Sequence, residues 1–140
     1  FEHYYVIDIP EKELTTRVPV RTATKVGIRS AISQSKINQV MDTMCAAPKR
    51  LPNDFKERQA RVLKRMRSGR ATAIAETIRD LAWHEHRKHL SKTDSDIMRQ
   101  AREMLASEIA LVTGIGITEV NERIDQALKT AFLHEHESVV

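Results

Sequence analysis

Residues 49–70 read KRLPNDFKERQARVLKRMRSGR, and this segment carries the positive charge of the chain. It contains nine Lys or Arg against two acids, a formal net charge of +7. The whole 140-residue chain has a net charge of +4, so the remainder sums to −3. A Pro-Asn pair precedes Phe55 at an expected helix start, and Ser68-Gly69 is typical of a helix end. The segment predicts one basic helix within a helical fold.

The composition is that of one domain, or of a compact domain with a fragment of another. A charged fraction of 30% and only four glycines favour helices over a β-sandwich. The single cysteine, Cys45, rules out an internal disulfide framework and fits a reducing compartment. No apolar run has the length of a membrane span, and no signal peptide opens the sequence. We therefore expect a cytoplasmic protein without a membrane partner.

The first part of the chain has the pattern of a β-hairpin. Residues 3–9 (HYYVIDI) are aromatic and β-branched, and residues 13–20 (ELTTRVPV) alternate as a second strand would. A lone hairpin is marginal in water, so further strands must come from missing upstream sequence or from a second chain, which would give a strand-swapped dimer. We interpret residues 1–30 as the C-terminal part of a small β-domain and residues 31–140 as a helical domain.

Apolar residues at helical spacing predict five helices after the hairpin. The first follows Ser33, and the next three are expected at about 54–67, 71–88 and 92–112. Ser91 is a suitable N-cap with an acid three residues later, and Thr118 is a candidate cap for the fifth helix. The predicted fold class is α+β, mainly α: a β-hairpin remnant followed by a five-helix bundle.

No residue pattern in the sequence indicates catalysis. The zincin motif would need a second His four residues after His84, but that position is Lys88, so a solvated His-rich helix end is favoured over a metal site. Cys45 has no accompanying His and acid, and we interpret it as a small buried residue. No phosphate-binding glycine loop or nucleophile elbow is found. We predict a non-enzymatic protein with no metal and no cofactor.

Two aromatic residues suggest different roles. Trp83 lies at near-helical spacing from Ile74 and Ile78, which favours packing between helices. Phe55 instead lies in a first helical turn beside Lys56, where an exposed ring could wedge against a base step in the minor groove. An inward-packed Phe55 under a solvated basic face explains the segment equally well.

The order and spacing of several short motifs resemble the CarD/CdnL family of bacterial transcription regulators. The motifs are ELTTRVPV, VGIR, SGR, IAETIRDLA, HLS and AREMLASEIAL, and the resemblance runs from Tyr4 to Phe132. It implies a Tudor-like domain that binds the β subunit of RNA polymerase, followed by a helical domain that contacts promoter double-stranded DNA at the upstream edge of the bubble. It also implies that about thirty residues with the opening strands are missing, which agrees with the lone hairpin.

The resemblance also implies roles for individual residues. Arg17 matches an arginine on the polymerase-contacting strands, where a solvated strand arginine is the alternative. Phe55 stands where the family has a wedge tryptophan, and Arg58 matches one of the basic residues after it. Glu57 stands where relatives carry an arginine, and Ala60 stands where at least some of them carry a lysine. The predicted DNA-binding residues are Phe55, Lys56, Arg58, Arg61, Lys64 and Arg65.

The leading functional hypothesis is a transcription regulator that binds RNA polymerase and promoter DNA and stabilises the open complex. One alternative is an interaction adaptor whose basic helix binds an acidic protein surface without touching DNA. Another is a general nucleic-acid-binding bundle that does not use polymerase. A salt-dependent shift with duplex DNA, measured with and without polymerase, separates these hypotheses.

Overall fold

A computed structural model of the chain describes part of the sequence, in two units. The units are Phe1–Ser30 and Ala31–Val140. The backbone is described for residues 4–9, 14–19 and 32–137, and the side chains for residues 32–135.

The first unit contains two paired strands in its described residues. Strand β1 (Tyr4–Ile9) is antiparallel to strand β2 (Leu14–Pro19), with Arg17 opposite Val6. The predicted turn between the strands and the side chain of Arg17 lie outside the described residues. The Tudor-like domain therefore stays a prediction.

The second unit is a bundle of five helices in its described residues, as the sequence predicts. They are α1 (Gln34–Cys45), α2 (Phe55–Arg67), α3 (Ala71–Arg87), α4 (Lys92–Thr113) and α5 (Ile117–Glu137). No helix within residues 32–137 is both long and apolar enough to cross a membrane.

Local capping explains where most of these helices begin and end. The hydroxyl of Ser33 accepts a hydrogen bond from the backbone N–H of Lys36 at the start of α1. Ser91 and Asp94 form a reciprocal capping box at the start of α4. After α2, Gly69 has a φ of 68°, a left-handed conformation that glycine adopts without strain. These caps confirm the predicted ends of the helices.

The predicted cap of the fifth helix is wrong. Helix α5 begins at Ile117, so Thr118 lies inside its first turn. The N–H of Val120 donates to the carbonyl of Gly116, which places the start of the hydrogen-bonded turn before Thr118. Gly116 therefore stands at the cap position that the sequence predicts for Thr118.

The main core lies between α1, α3, α4 and α5. Its most deeply buried side chains are Val40, Met44, Ile74, Ile78, Leu105 and Ile124. The predicted packing role of Trp83 is confirmed, because its ring centroid lies 5.2 Å from that of Phe132 on α5. Apolar burial of this kind is the principal stabilising contribution to such a bundle.

Helix α2 is attached differently from the other four. Its buried residues are Arg58 and Val62, so a single aliphatic side chain of this helix is buried. Val62 packs in a small cluster with Leu51, Leu81 and Ile97. Because so little apolar area fixes α2, polar contacts must contribute to its position.

Candidate nucleic-acid interface

The first turn of α2 presents an aromatic ring to solvent. The Asp54 carboxylate caps the helix by accepting from the N–H of Glu57 at 3.0 Å. Phe55 follows directly and is 48% exposed. It precedes Arg58 by three positions and Val62 by seven, which places it on the buried stripe of the helix. At 48% exposure the ring is nevertheless not enclosed by the fold, so the inward-packed alternative for Phe55 does not hold.

Most cations of the basic segment are on the surface. The exposed ones are Lys49, Arg50, Lys56, Arg61, Lys64, Arg67 and Arg70. Three of them, Lys56, Arg61 and Lys64, belong to the DNA-binding set predicted from the sequence. Exposed Lys and Arg side chains can follow the phosphates of a nucleic acid without rearrangement of the fold.

Arg58 is not a surface cation, contrary to its predicted role in DNA binding. It is 5% exposed, and its Nε and Nη2 donate to Oδ2 of Asp94 at 3.0 and 2.7 Å. Its Nη1 donates to the carbonyl oxygens of Pro52 and Asn53 at 3.2 and 3.0 Å. All three guanidinium nitrogens therefore donate within the protein. The assignment of Arg58 to the DNA-contacting set does not fit this burial.

Arg65 is also drawn into the protein. Its Nη1 donates to Oδ2 of the fully buried Asp80 on α3 at 2.8 Å. The other oxygen of Asp80 accepts from Nε of Arg79 at 2.9 Å and from the backbone N–H of Lys49 at 2.8 Å. The Arg65 side chain is thus mostly buried, at 16% exposure, and paired, which makes it a weaker candidate for phosphate contact than its exposed neighbours.

Two buried aspartates therefore hold the two ends of α2. Asp94 binds Arg58 near the N-terminus, and Asp80 binds Arg65 near the C-terminus. Neither aspartate is recognisable from the sequence motifs as a partner of α2. One signal was available: Asp80 lies in the apolar stretch IAETIRDLA, and a buried carboxylate requires a hydrogen-bonded counter-charge.

The ionisation of this region follows from burial and charge. Burial acts to raise the pKa of the Asp94 carboxyl, but hydrogen bonds from Arg58 and Ser91, with the charge of Arg58, hold that pKa below its usual value. His84 is 7% exposed next to this pair. Burial lowers its pKa, as do the charges of Arg58, Lys88 and Arg87, while the charge of Asp94 acts in the opposite direction. The imidazole is therefore neutral over a wider pH range than a free histidine.

Histidine 84 should make the stability of the fold sensitive to mild acid. Its pKa is about 6.5 in the unfolded chain and lower in the fold, so the unfolded chain binds the proton first. The free energy of unfolding should fall as pH drops below about 6.5, by at most about 1.4 kcal/mol per pH unit, and level off below the folded-state pKa. Urea denaturation between about pH 5 and 8 measures this slope.

An exposed histidine provides the control for this measurement. His84→Gln should flatten the pH dependence, whereas His89→Gln, at an exposed position, should leave it unchanged. An unchanged slope in His84→Gln would assign the effect to other groups. Within residues 32–135, no group of three or more His, Cys, Asp or Glu side chains is placed to hold a metal ion.

These features define a helical module with a basic surface and an exposed aromatic residue at its edge. The family described as CarD, C-terminal domain, matches residues 39–125, more than half of the chain. The chain therefore belongs to the CarD family, and the resemblance in its sequence is confirmed. The matched range includes all of α2, α3 and α4. It indicates transcription regulation associated with RNA polymerase.

Proposed function

We propose that the chain binds the β subunit of RNA polymerase through residues 1–30 and promoter DNA through α2, and that it stabilises the open promoter complex. One observation carries this proposal. Phe55, at the position of the family wedge residue, is a large apolar side chain held 48% exposed at a helix start. Exposing such a ring has a cost in water, which is offset when it binds an apolar surface such as the face of a base.

Phe55 acts as the wedge in this proposal. Its ring enters a base step from the minor groove at the upstream edge of the transcription bubble and replaces part of the lost stacking. Strands held apart at that point reanneal more slowly, which lengthens the life of the open complex. Phenylalanine lacks the indole N–H of the family tryptophan, so this wedge acts through stacking and apolar contact alone.

The exposed cations hold the DNA backbone on either side of the wedge. Lys56 adjoins the ring, while Arg61 and Lys64 lie one to three turns further along α2. Glu57 is exposed in the first turn and lowers the positive potential near Phe55. We expect the backbone path to be displaced along α2, toward Arg61 and the cations that follow it.

Binding to polymerase makes a weak DNA contact sufficient. A module tethered to the enzyme meets the promoter at a high effective concentration, so its own affinity for duplex DNA can remain low. Arg17, which lies in β2 opposite Val6 of β1, is the proposed contact to polymerase. Arg17→Glu should reduce the effect on the open complex and leave binding to free duplex DNA unchanged.

Two substitutions in α2 test the proposal. Phe55→Ala should shorten the open-complex lifetime roughly 5- to 150-fold, since stacking on a base contributes about 1–3 kcal/mol. It should leave the salt dependence of DNA binding unchanged. The matched control, Lys64→Ala, should flatten the log–log salt slope by about 0.9. Lifetimes are measured by heparin challenge of polymerase–promoter complexes, and salt slopes by fluorescence anisotropy with duplex DNA.

The outcomes separate the proposed function from its alternative. If Phe55→Ala leaves the lifetime intact while the chain still binds polymerase, the wedge mechanism is wrong. If the chain binds polymerase and produces no change in the promoter footprint, it acts as an adaptor that recognises an acidic protein surface.

A further inference from the structure

A continuous set of contacts connects α4 to the turn that carries Phe55. The carboxylate of Asp94 binds the guanidinium of Arg58, and the same guanidinium binds the carbonyl oxygens of Pro52 and Asn53. Those two carbonyls immediately precede the cap residue of α2. Arg58 therefore fixes both the linker that enters α2 and the first turn of the helix.

The Asp94 carboxylate is used asymmetrically. Its Oδ2 accepts from two nitrogens of Arg58 and from both the hydroxyl and the backbone N–H of Ser91. Its Oδ1 is buried without a hydrogen-bond partner in the described part of the chain. A capping box functions at the protein surface and does not require a fully buried carboxylate. The burial of Asp94 is thus explained by Arg58 rather than by the cap.

Besides Arg58, the entrance of α2 is held by the Asp54 cap and by the buried Leu51 in the linker before it. Phe55 is half-exposed, and the nearest buried apolar residue of the helix is Val62, two turns further on. Arg58 lies one turn from Phe55 on the same stripe, with about 5–6 Å between their Cβ atoms. A shift of Arg58 would therefore be passed directly to the position of the ring.

We infer that Asp94 is a positioning residue for Phe55, which acts through Arg58 to hold the entrance of α2 in the geometry that presents the ring. The role of the ring as a DNA wedge rests on the proposed function, whereas the positioning itself does not. Asp94 touches no DNA in this mechanism. Its negative charge is required because only an ionised carboxylate holds the buried guanidinium strongly at this place.

A tryptophan at position 55 reports on this positioning without reference to DNA. The 140-residue chain is made with Phe55→Trp and Trp83→Phe, so that residue 55 is the single tryptophan and can be excited selectively over the two tyrosines. Asp94→Asn and Arg58→Lys are then added separately. Arg58→Lys keeps the positive charge but loses the fork that joins the carboxylate to the two carbonyls. The control is Asp80→Asn, which weakens the ionic contact at the opposite end of α2.

Asp94→Asn and Arg58→Lys should raise the acrylamide quenching constant roughly twofold, because a half-exposed ring becomes freely accessible, and should lower its anisotropy. Asp80→Asn should leave both quantities unchanged. Circular dichroism establishes that each variant is folded. If Asp94→Asn does not fold, Arg58→Lys alone decides the test, since it retains a cation beside an intact carboxylate.

Unchanged quenching in both Asp94→Asn and Arg58→Lys would overturn the inference, as would an equal increase in Asp80→Asn. Open-complex lifetimes of the same proteins test the proposed function separately. A mobile ring with a shortened lifetime supports both statements. A mobile ring with an unchanged lifetime supports the positioning by Asp94 and contradicts the role of the ring as a wedge.

Discussion

Replacing Asp94 with alanine should lower the free energy of unfolding of the helical unit by about 3–5 kcal/mol. Asp94 is fully buried, and its removal leaves the guanidinium of Arg58, 5% exposed, without a counter-charge. The Ser91 hydroxyl loses its acceptor in the same step. Since a domain of this kind has a total stability of about 5–15 kcal/mol, the loss is a large part of the whole. Urea denaturation at neutral pH measures it.

A double substitution distinguishes loss of the ion pair from loss of packing. Arg58→Met combined with Asp94→Leu should recover most of the lost stability, because apolar residues of similar size often replace a buried ion pair without cost. Arg58→Met alone should be strongly destabilising, because it leaves the Asp94 carboxylate buried and unpaired. A double variant no more stable than Asp94→Ala would show that the geometry of the site, rather than its unbalanced charge, determines the stability.

Replacing Asp80 with alanine should produce a loss of similar size, about 3–5 kcal/mol. The Asp80 carboxylate is fully buried and accepts from Arg65 on one oxygen and from Arg79 and the Lys49 N–H on the other. Its removal takes away the buried counter-charge of Arg79 and the short ion pair that holds Arg65 near the C-terminal end of α2. At about 3–4 °C per kcal/mol, between the values for domains of 60–100 and of 150–250 residues, the melting temperature should fall by about 9–20 °C.

An exposed ion pair provides the matched control for Asp80. Asp125 accepts from Nη2 of Arg102 at 2.6 Å, a shorter contact than any made by Asp80, but the Asp125 side chain is 57% exposed. Asp125→Ala should therefore cost less than about 1 kcal/mol. If the two substitutions were equally destabilising, burial would not be the source of the effect at Asp80.

The helices could be predicted from the sequence because their signals are local. Ser33, Ser91 and Gly69 act within a few residues of the ends that they mark, and each functions as its residue type predicts. Thr118 had the same kind of signal but lies inside α5. A residue suited to capping does not cap when the preceding turn has already started the helix.

The candidate site was predictable only in part, because its burial depends on distant residues. The charge of the segment predicted an exposed basic surface, and Lys56, Arg61 and Lys64 are exposed. Arg58 has the same local pattern, yet its partner is 36 positions away. The sequence could not decide whether Phe55 is exposed either, since its exposure depends on whether another element covers the end of α2. No hydrophobic period or motif within residues 49–70 indicates the burial of Arg58 or the exposure of Phe55.

The pairing of Arg58 and Arg65 inside the fold changes how the protein should distribute between promoters and the rest of the chromosome. Seven of the nine cations of residues 49–70 are exposed, so under the proposed function the protein contacts fewer phosphates than its sequence charge suggests. Each phosphate contact that is lost weakens nonspecific binding to duplex DNA. A genome offers about 10⁶–10⁹ such competing nonspecific sites. Under the proposed function, this weaker nonspecific binding keeps the protein from being sequestered on bulk DNA and leaves it available to polymerase.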